Sequence, residues 1–135
     1  MTSTLIDTNV FLDVVEERPE WFAWGSRKVF EARIDGNVVV NPIIYAEISL
    51  HFSTIEALEE ALPENSFKRF QLPWDAGFLA GRCFLQYRRK GGERRSPLPD
   101  FYIGAHAALG GMILMTRDST RYRTYFPKLK MIEPS

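Results

Sequence analysis

Thr4-Leu5-Ile6-Asp7-Thr8-Asn9-Val10-Phe11-Leu12-Asp13-Val14-Val15 is the stretch on which the fold turns. Thr4–Ile6 reads as a short strand, and Thr8–Val15 follows as a helix with apolar Phe11, Leu12 and Val15. The rest of the chain repeats that alternation. Arg27–Ile34 is helical in pattern and stops at Gly36. Val38–Val40 is a short run of valines, as expected of a strand buried on both faces. Pro42 suits the first turn of a helix running to about Phe52, and Ser53-Thr54-Ile55-Glu56 has the form of a capping box opening another helix that Pro63 ends.

Asp75–Arg89 carries the clearest helical period. Ala76, Leu79, Ala80, Cys83, Phe84 and Tyr87 form one continuous apolar stripe, with Arg82, Gln86 and Arg89 opposite. Gly91-Gly92 ends it, and residues 90–99 form a polar, proline-containing loop. Asp100–Leu109 is a further helix stopped by Gly110-Gly111, Met112–Met115 a second buried strand, and Lys130–Ile132 the last strand. The expected fold is therefore α/β: a single domain over residues 1–135, with a central parallel sheet of four to five strands and helices on both faces. Ligands of such sheets bind beyond the carboxyl ends of the strands. Asp7 directly follows the first strand and Asp118 comes three residues after Met115, so both are expected at one rim.

Composition narrows the chemistry. The 135 residues are 45% hydrophobic and 25% charged, which is ordinary globular usage and excludes a disordered or fibrous class. Seventeen cations balance 17 anions, against the bulk electrostatics of a general nucleic-acid coat. The balance is uneven along the chain: residues 1–81 carry six cations and 13 anions, residues 82–135 carry 11 and four. One cysteine, Cys83, excludes a disulfide framework and a multi-cysteine zinc site; on the apolar stripe it reads as a buried small hydrophobe. With only His51 and His106 besides, a metal would find oxygen ligands, which points to Mg²⁺ or Mn²⁺. There is no membrane-spanning apolar run and no signal-peptide pattern, so a cytoplasmic protein without a membrane partner is expected.

Charge is also missing where it would be ordinary. Residues 1–12, 36–55 and 96–116 each contain one charged side chain: Asp7, Glu47 and Asp100. A lone carboxylate in apolar surroundings is costly unless it is hydrogen-bonded, paired or bound to metal. Asp7 and Asp100 each have a capping role open to them, as does Asp118 with Ser119 and Thr120. Glu47 does not, because it lies mid-helix between Ile43 and Leu50 on what reads as an apolar stripe. Four carboxylates at strand ends and helix starts would raise one another's pKa, and a divalent cation removes that penalty.

Four segments also resemble a known family. Leu5-Ile6-Asp7-Thr8-Asn9-Val10-Phe11-Leu12, Tyr45-Ala46-Glu47-Ile48, Pro99-Asp100-Phe101-Tyr102-Ile103-Gly104-Ala105-His106-Ala107 and Leu114-Met115-Thr116-Arg117-Asp118 resemble, in order and over residues 4–132, the four acidic motifs of PIN-domain nucleases. Within that superfamily the chain is most similar to the small VapC-type toxin ribonucleases of type II toxin–antitoxin pairs. The resemblance implies a Mg²⁺ or Mn²⁺ site of Asp7, Glu47, Asp100 and Asp118, and an endoribonuclease whose metal-activated water hydrolyses RNA. It further implies that Thr8 and Asn9 orient Asp7 through the helix start, and that Thr116 supports the ligands or touches substrate. It implies a cognate antitoxin as partner and a homodimer. Members commonly carry a further acidic residue soon after the third motif's Asp; here Phe101, Tyr102, Ile103 and Gly104 stand there, leaving one or two ions open.

The basic stretch Arg88-Arg89-Lys90 and Arg94-Arg95, with Arg117, Arg121, Arg123, Lys128 and Lys130, reads either as solvated helix ends or as a phosphate-tracking surface. Tyr122, Tyr125 and Phe126 are candidates for base stacking or for core. Trp21-Phe22-Ala23-Trp24 and the helix at 54–62 either receive a partner or pack on the core, and His106 is expected in a core or surface role. Three readings compete with the toxin. A PIN-fold RNA-processing nuclease outside a toxin–antitoxin pair and a non-catalytic PIN module that binds RNA or a partner both keep the fold. A haloacid-dehalogenase-type phosphatase needs Asp-x-Asp after its first strand, where this chain has Asp7-Thr8-Asn9.

Overall fold

The computed structural model describes residues 2–91 and 98–135. Gly92, Arg94 and Arg95, singled out above, lie outside the described residues. The first strand, β1 (Thr2–Ile6), runs into α1 (Thr8–Val15) through Asp7, as the opening stretch predicts. Then follow α2 (Phe22–Asp35), β2 (Gly36–Val40), α3 (Pro42–Ser49), α4 (Ile55–Ala61) and β3 (Lys68–Arg69). The second half contains α5 (Trp74–Arg89), α6 (Leu98–Leu109), β4 (Ile113–Met115), α7 (Thr120–Tyr125) and β5 (Met131–Ile132).

All pairings are parallel, in the order β3-β2-β1-β4-β5. From β1 the chain builds outward through β2 to β3, then returns across the sheet to place β4 on the other side of β1. Right-handed connections in opposite directions put the helices of the two halves on opposite faces. The reversal makes the gap between β1 and β4 a topological switch point, the place where open α/β sheets bind ligands. Leu5, Ile6, Val38, Val39, Val40, Leu114 and Met115 are buried in the sheet, between Val10, Phe11, Ile44 and Ile48 of the first half and Ala76, Ala80, Phe101 and Ile103 of the second.

Several boundaries differ from those expected. α2 begins at Phe22 rather than Arg27, and its Trp24 packs against the core. Trp21 stands edge-on to Trp24 at 6.2 Å between ring centroids. α3 stops at Ser49, and Thr54, not Ser53, caps α4 by accepting from the Ala57 N–H at 3.1 Å. α6 starts at Leu98, so Asp100 lies inside its first turn and is not its N-cap; Pro99 is tolerated there because it lacks a donor the helix would not use. β3 has two exposed charged residues and no hydrophobic signature; only its pairing with Val39 and Val40 makes it a strand. Asn41 caps α3, accepting from Ile44 N–H at 2.9 Å, which leaves its amide to donate to buried His106 Nδ1 at 3.0 Å. His106 is thus a core residue, and burial lowers its pKa.

α6 and the segment after β4 meet closely at Gly104. A Cβ there would lie 2.5 Å from Phe126 Cε2 and 3.0 Å from Tyr122 Cδ1, so no larger residue fits without moving both rings. Gly104→Ala is expected to lower stability by about 2 kcal/mol despite alanine's better helix propensity. Urea denaturation checks this, and an unchanged midpoint would contradict the close packing.

Candidate active site

Asp7 is fixed by both elements it joins. Its N–H donates to Met115 C=O at 2.8 Å, continuing the β1–β4 ladder by one residue, and its carboxylate accepts from Thr8 N–H at 2.8 Å as the N-cap of α1. The capping role and a place in the site are therefore not alternatives. The other carboxylate oxygen, Oδ2, accepts from Thr116 Oγ1 at 2.8 Å and from the Tyr122 hydroxyl at 3.3 Å. Asp7, Thr116 and Tyr122 are all buried.

Around Asp7 opens a cavity of about 480 Å³, lined by Asp7, Glu47, Asp100 and Asp118 together with Thr8, Asn9, Arg121 and Tyr122. The four carboxylates come from the end of β1, α3, the first turn of α6 and the turn after β4. Thr8 Oγ1 donates to Glu47 Oε1 at 2.7 Å, linking α1 to α3. Asp118 N–H donates to Thr116 Oγ1 at 3.1 Å, so this one hydroxyl couples the last motif to Asp7. Asn9 lines the cavity, and its Oδ1 accepts from Arg117 N–H at 3.4 Å, pinning the turn after β4 to α1. Glu47 also differs. The buried stripe of α3 is Ile44 and Ile48, Leu50 is 84% exposed, and Glu47 lies on the edge of the helix that faces the cavity. Asp118 does not cap α7, whose first turn has no side-chain cap.

The electrostatics follow from this packing. Burial raises the Asp7 pKa to about 7 against the hydrogen bonds from Thr116 and Thr8, with the charges of Asp100 and Glu47 adding to the rise. Burial likewise raises Glu47 and Asp100; Asp100 is drawn back by Arg121, whose Nη1 lies 2.7 Å from Asp100 Oδ2. The Tyr122 hydroxyl is pushed well above its usual range, first by burial and then by the negative charges of Asp7 and Asp100, so it remains a donor. As the side chains lie, no three carboxyl, imidazole or thiol groups among the described residues stand close enough together to clasp a metal ion. The donor set nevertheless fits a hard divalent cation: it is oxygen alone, multiply anionic, and built on a buried carboxylate that burial makes reluctant to ionise unaided.

The cations divide by partner. Arg117 grips buried Asp13, Nε to Oδ2 at 2.6 Å, and its Cζ lies 5.7 Å from the Trp21 ring centroid. It is therefore a strut between α1 and the turn after β4. Arg18 reaches the same Asp13 at 3.3 Å. Asp13 was legible only as one more charge on a helix; its burial depends on the chain's return at Arg117. Arg123 pairs with Glu133, and Lys128 and Lys130 line a separate cavity with Met112 and Ile113, at the start of β4 rather than its end. Tyr122 and Phe126 are core; Tyr125 and Tyr87 line the acidic cavity.

Fold and site together define a doubly wound α/β protein with a carboxylate-lined cavity at its switch point. A model of the PIN domain matches residues 4–127, and the chain belongs to the PIN domain family. Its fold is similar to chains in three solved structures: VapBC2 from Rickettsia felis bound to a promoter DNA fragment (14% identity, 99% of this chain and 100% of that one, TM-score 0.72), VapBC-1 from nontypeable Haemophilus influenzae (17%, 98% of each, 0.72) and DNA-bound VapBC from Salmonella typhimurium (19%, 98% of each, 0.71). No curated protein matches by sequence. Among the described residues no helix is long and apolar enough to cross a membrane.

The raised Asp7 pKa makes stability depend on pH in metal-free protein. The folded state holds this proton up to about pH 7, whereas the unfolded chain releases it near 3.8, so the contribution of Asp7 to stability is greatest below 3.8 and falls away as pH rises to about 7. The full difference is roughly 4 kcal/mol. Asp7→Asn carries no such charge and is expected to gain on the wild type in thermal melts between pH 4.5 and pH 8 in EDTA. A gap that stays constant over that range would contradict the burial of a titrating carboxyl.

Proposed function

We propose that this PIN domain is a divalent-metal-dependent endoribonuclease and the toxin of a type II toxin–antitoxin pair. Asp7, Glu47, Asp100 and Asp118 would hold Mg²⁺ or Mn²⁺. One observation carries this reading: three carboxylates, each alone in an otherwise uncharged stretch, line a single switch-point cavity with a fourth. When bound, the ion lowers the pKa of a coordinated water and stabilises charge on the phosphate and the leaving oxygen.

The chain's own residues do the rest. Thr8 N–H, Thr116 and Tyr122 fix the rotamer of Asp7, so one oxygen is taken by the helix cap and the other is aimed by two hydroxyls. Thr8 Oγ1 aims Glu47 across the cavity. Such donors behind metal ligands typically matter by 10–100-fold in affinity or activity. His51, exposed and paired with Glu16, and buried His106 both lie outside the cavity, so neither serves as a base there. The fold shared with the VapBC structures supports a toxin role with a cognate antitoxin as partner, and the assembly proposed with it is a homodimer. Exposed Phe22, Phe30 and Ile34 of α2 offer apolar surface for a partner.

Asp7→Asn and Asp100→Asn are each expected to abolish cleavage of a structured RNA and growth inhibition on expression. Thr116→Val is expected to retain the fold and lose roughly 10–100-fold in rate. Cleavage at the wild-type rate by either Asn variant would sink the assignment. The Arg121–Asp100 ion pair favours a second reading, a non-catalytic PIN module that binds RNA or a partner, because a guanidinium already answers one of the carboxylates. Absence of any Mn²⁺ heat in calorimetry, together with no cleavage, would select that module.

A further inference from the structure

Within the acidic cavity Arg121 is the only cation among the described lining residues. It comes from α7 and reaches Asp100 in the first turn of α6, Nη1 to Oδ2 at 2.7 Å. Its Cζ also lies 5.5 Å from the ring centroid of Tyr87 on α5, so an aromatic face supports the guanidinium independently of the carboxylate. Both members of the ion pair remain 36% exposed, which keeps the pair weak enough to exchange. Its two neighbouring arginines in sequence are committed elsewhere: Arg117 to buried Asp13 and Arg123 to Glu133.

We propose that Arg121 is a displaceable counter-cation: it neutralises Asp100 in the metal-free protein, competes with the divalent ion for that carboxylate, and once released binds the phosphodiester from its seat over Tyr87. The inference rests on the metal-dependent reading of the cavity and adds the residue that regulates its loading. Asp100 cannot offer Oδ2 fully to Arg121 and to an ion together, so each weakens the other's hold. A released guanidinium on the Tyr87 face keeps its planar fork free, and that fork matches two phosphate oxygens.

The test is calorimetric titration of Mn²⁺ into metal-free wild type, Arg121→Gln, Arg121→Lys and Arg123→Gln. Arg121→Gln is expected to bind Mn²⁺ about fivefold more tightly, the equivalent of losing one exposed ion pair. Arg121→Lys keeps the charge without the fork and is expected to fall between it and wild type. Arg123→Gln removes the same charge from the same helix outside the cavity and is expected to match wild type. Arg121→Gln is also expected to raise KM for RNA at saturating Mn²⁺ more than it lowers kcat. Equal tightening in Arg121→Gln and Arg123→Gln would reduce the effect to net charge and overturn the proposal, as would Mn²⁺ binding by Arg121→Gln no tighter than wild type. A wild type that binds Mn²⁺ and cleaves, with an unaltered Arg121→Gln, refutes this inference alone. If neither wild type nor Arg121→Gln binds Mn²⁺, both it and the metal-dependent reading fall.

Discussion

A buried carboxylate that cannot leave its place organises this protein. Asp7 is tied by its backbone to Met115 and by its side chain to the first turn of α1, so its position is set by the sheet ladder and the helix start at once. Burial opposes its charge, and among the described residues two hydroxyls and one amide answer it. Thr116 and Tyr122 converge on Oδ2, while Thr8 extends the network to Glu47. Neutral partners orient a carboxylate without cancelling it, which preserves its attraction for a cation.

The contrast with Asp13 is instructive. Asp13 is also buried, yet two arginines reach it, and Arg117 does so with two nitrogens. A fully paired buried carboxylate is a joint between elements; here it ties α1 to the turn after β4. Asp7 and Asp13 are six residues apart on the same strand–helix unit, and what separates a structural acid from a site acid is the chemistry of the groups brought to each. The oppositely charged halves of the chain matter through such individual pairings. Glu56, Glu59 and Glu60 belong to the α4 surface, and the cations of residues 117–123 are largely answered one by one.

Much of the fold was legible because buried parallel strands and amphipathic helices leave strong periodic signals. The valines of β2, the stripe of α5 and the strand–helix passage at Asp7 are of this kind. β3 was not, since an edge strand of Lys68 and Arg69 is defined by hydrogen bonds to β2 and not by any pattern of its own. Asp7, Glu47 and Asp100 were legible through their isolation and Asp118 through its place after β4, and all four line one cavity. Their partners were not. Thr116 was singled out by its motif, but Tyr122 read equally well as a stacking residue and Arg121 as one cation among many.

By itself, the sequence determined an alternating α/β chain with three lone acids, because periodicity and charge isolation are local and survive without coordinates; its likeness to the PIN family came from its four acidic motifs. Tertiary structure alone decided which cation meets which acid. Arg117 and Arg121 are four residues apart, yet one locks Asp13 and the other covers Asp100, because the turn after β4 points them to different neighbours. Contacts across about 20 to 100 residues of sequence are set by where the sheet reverses direction, and no local pattern encodes them.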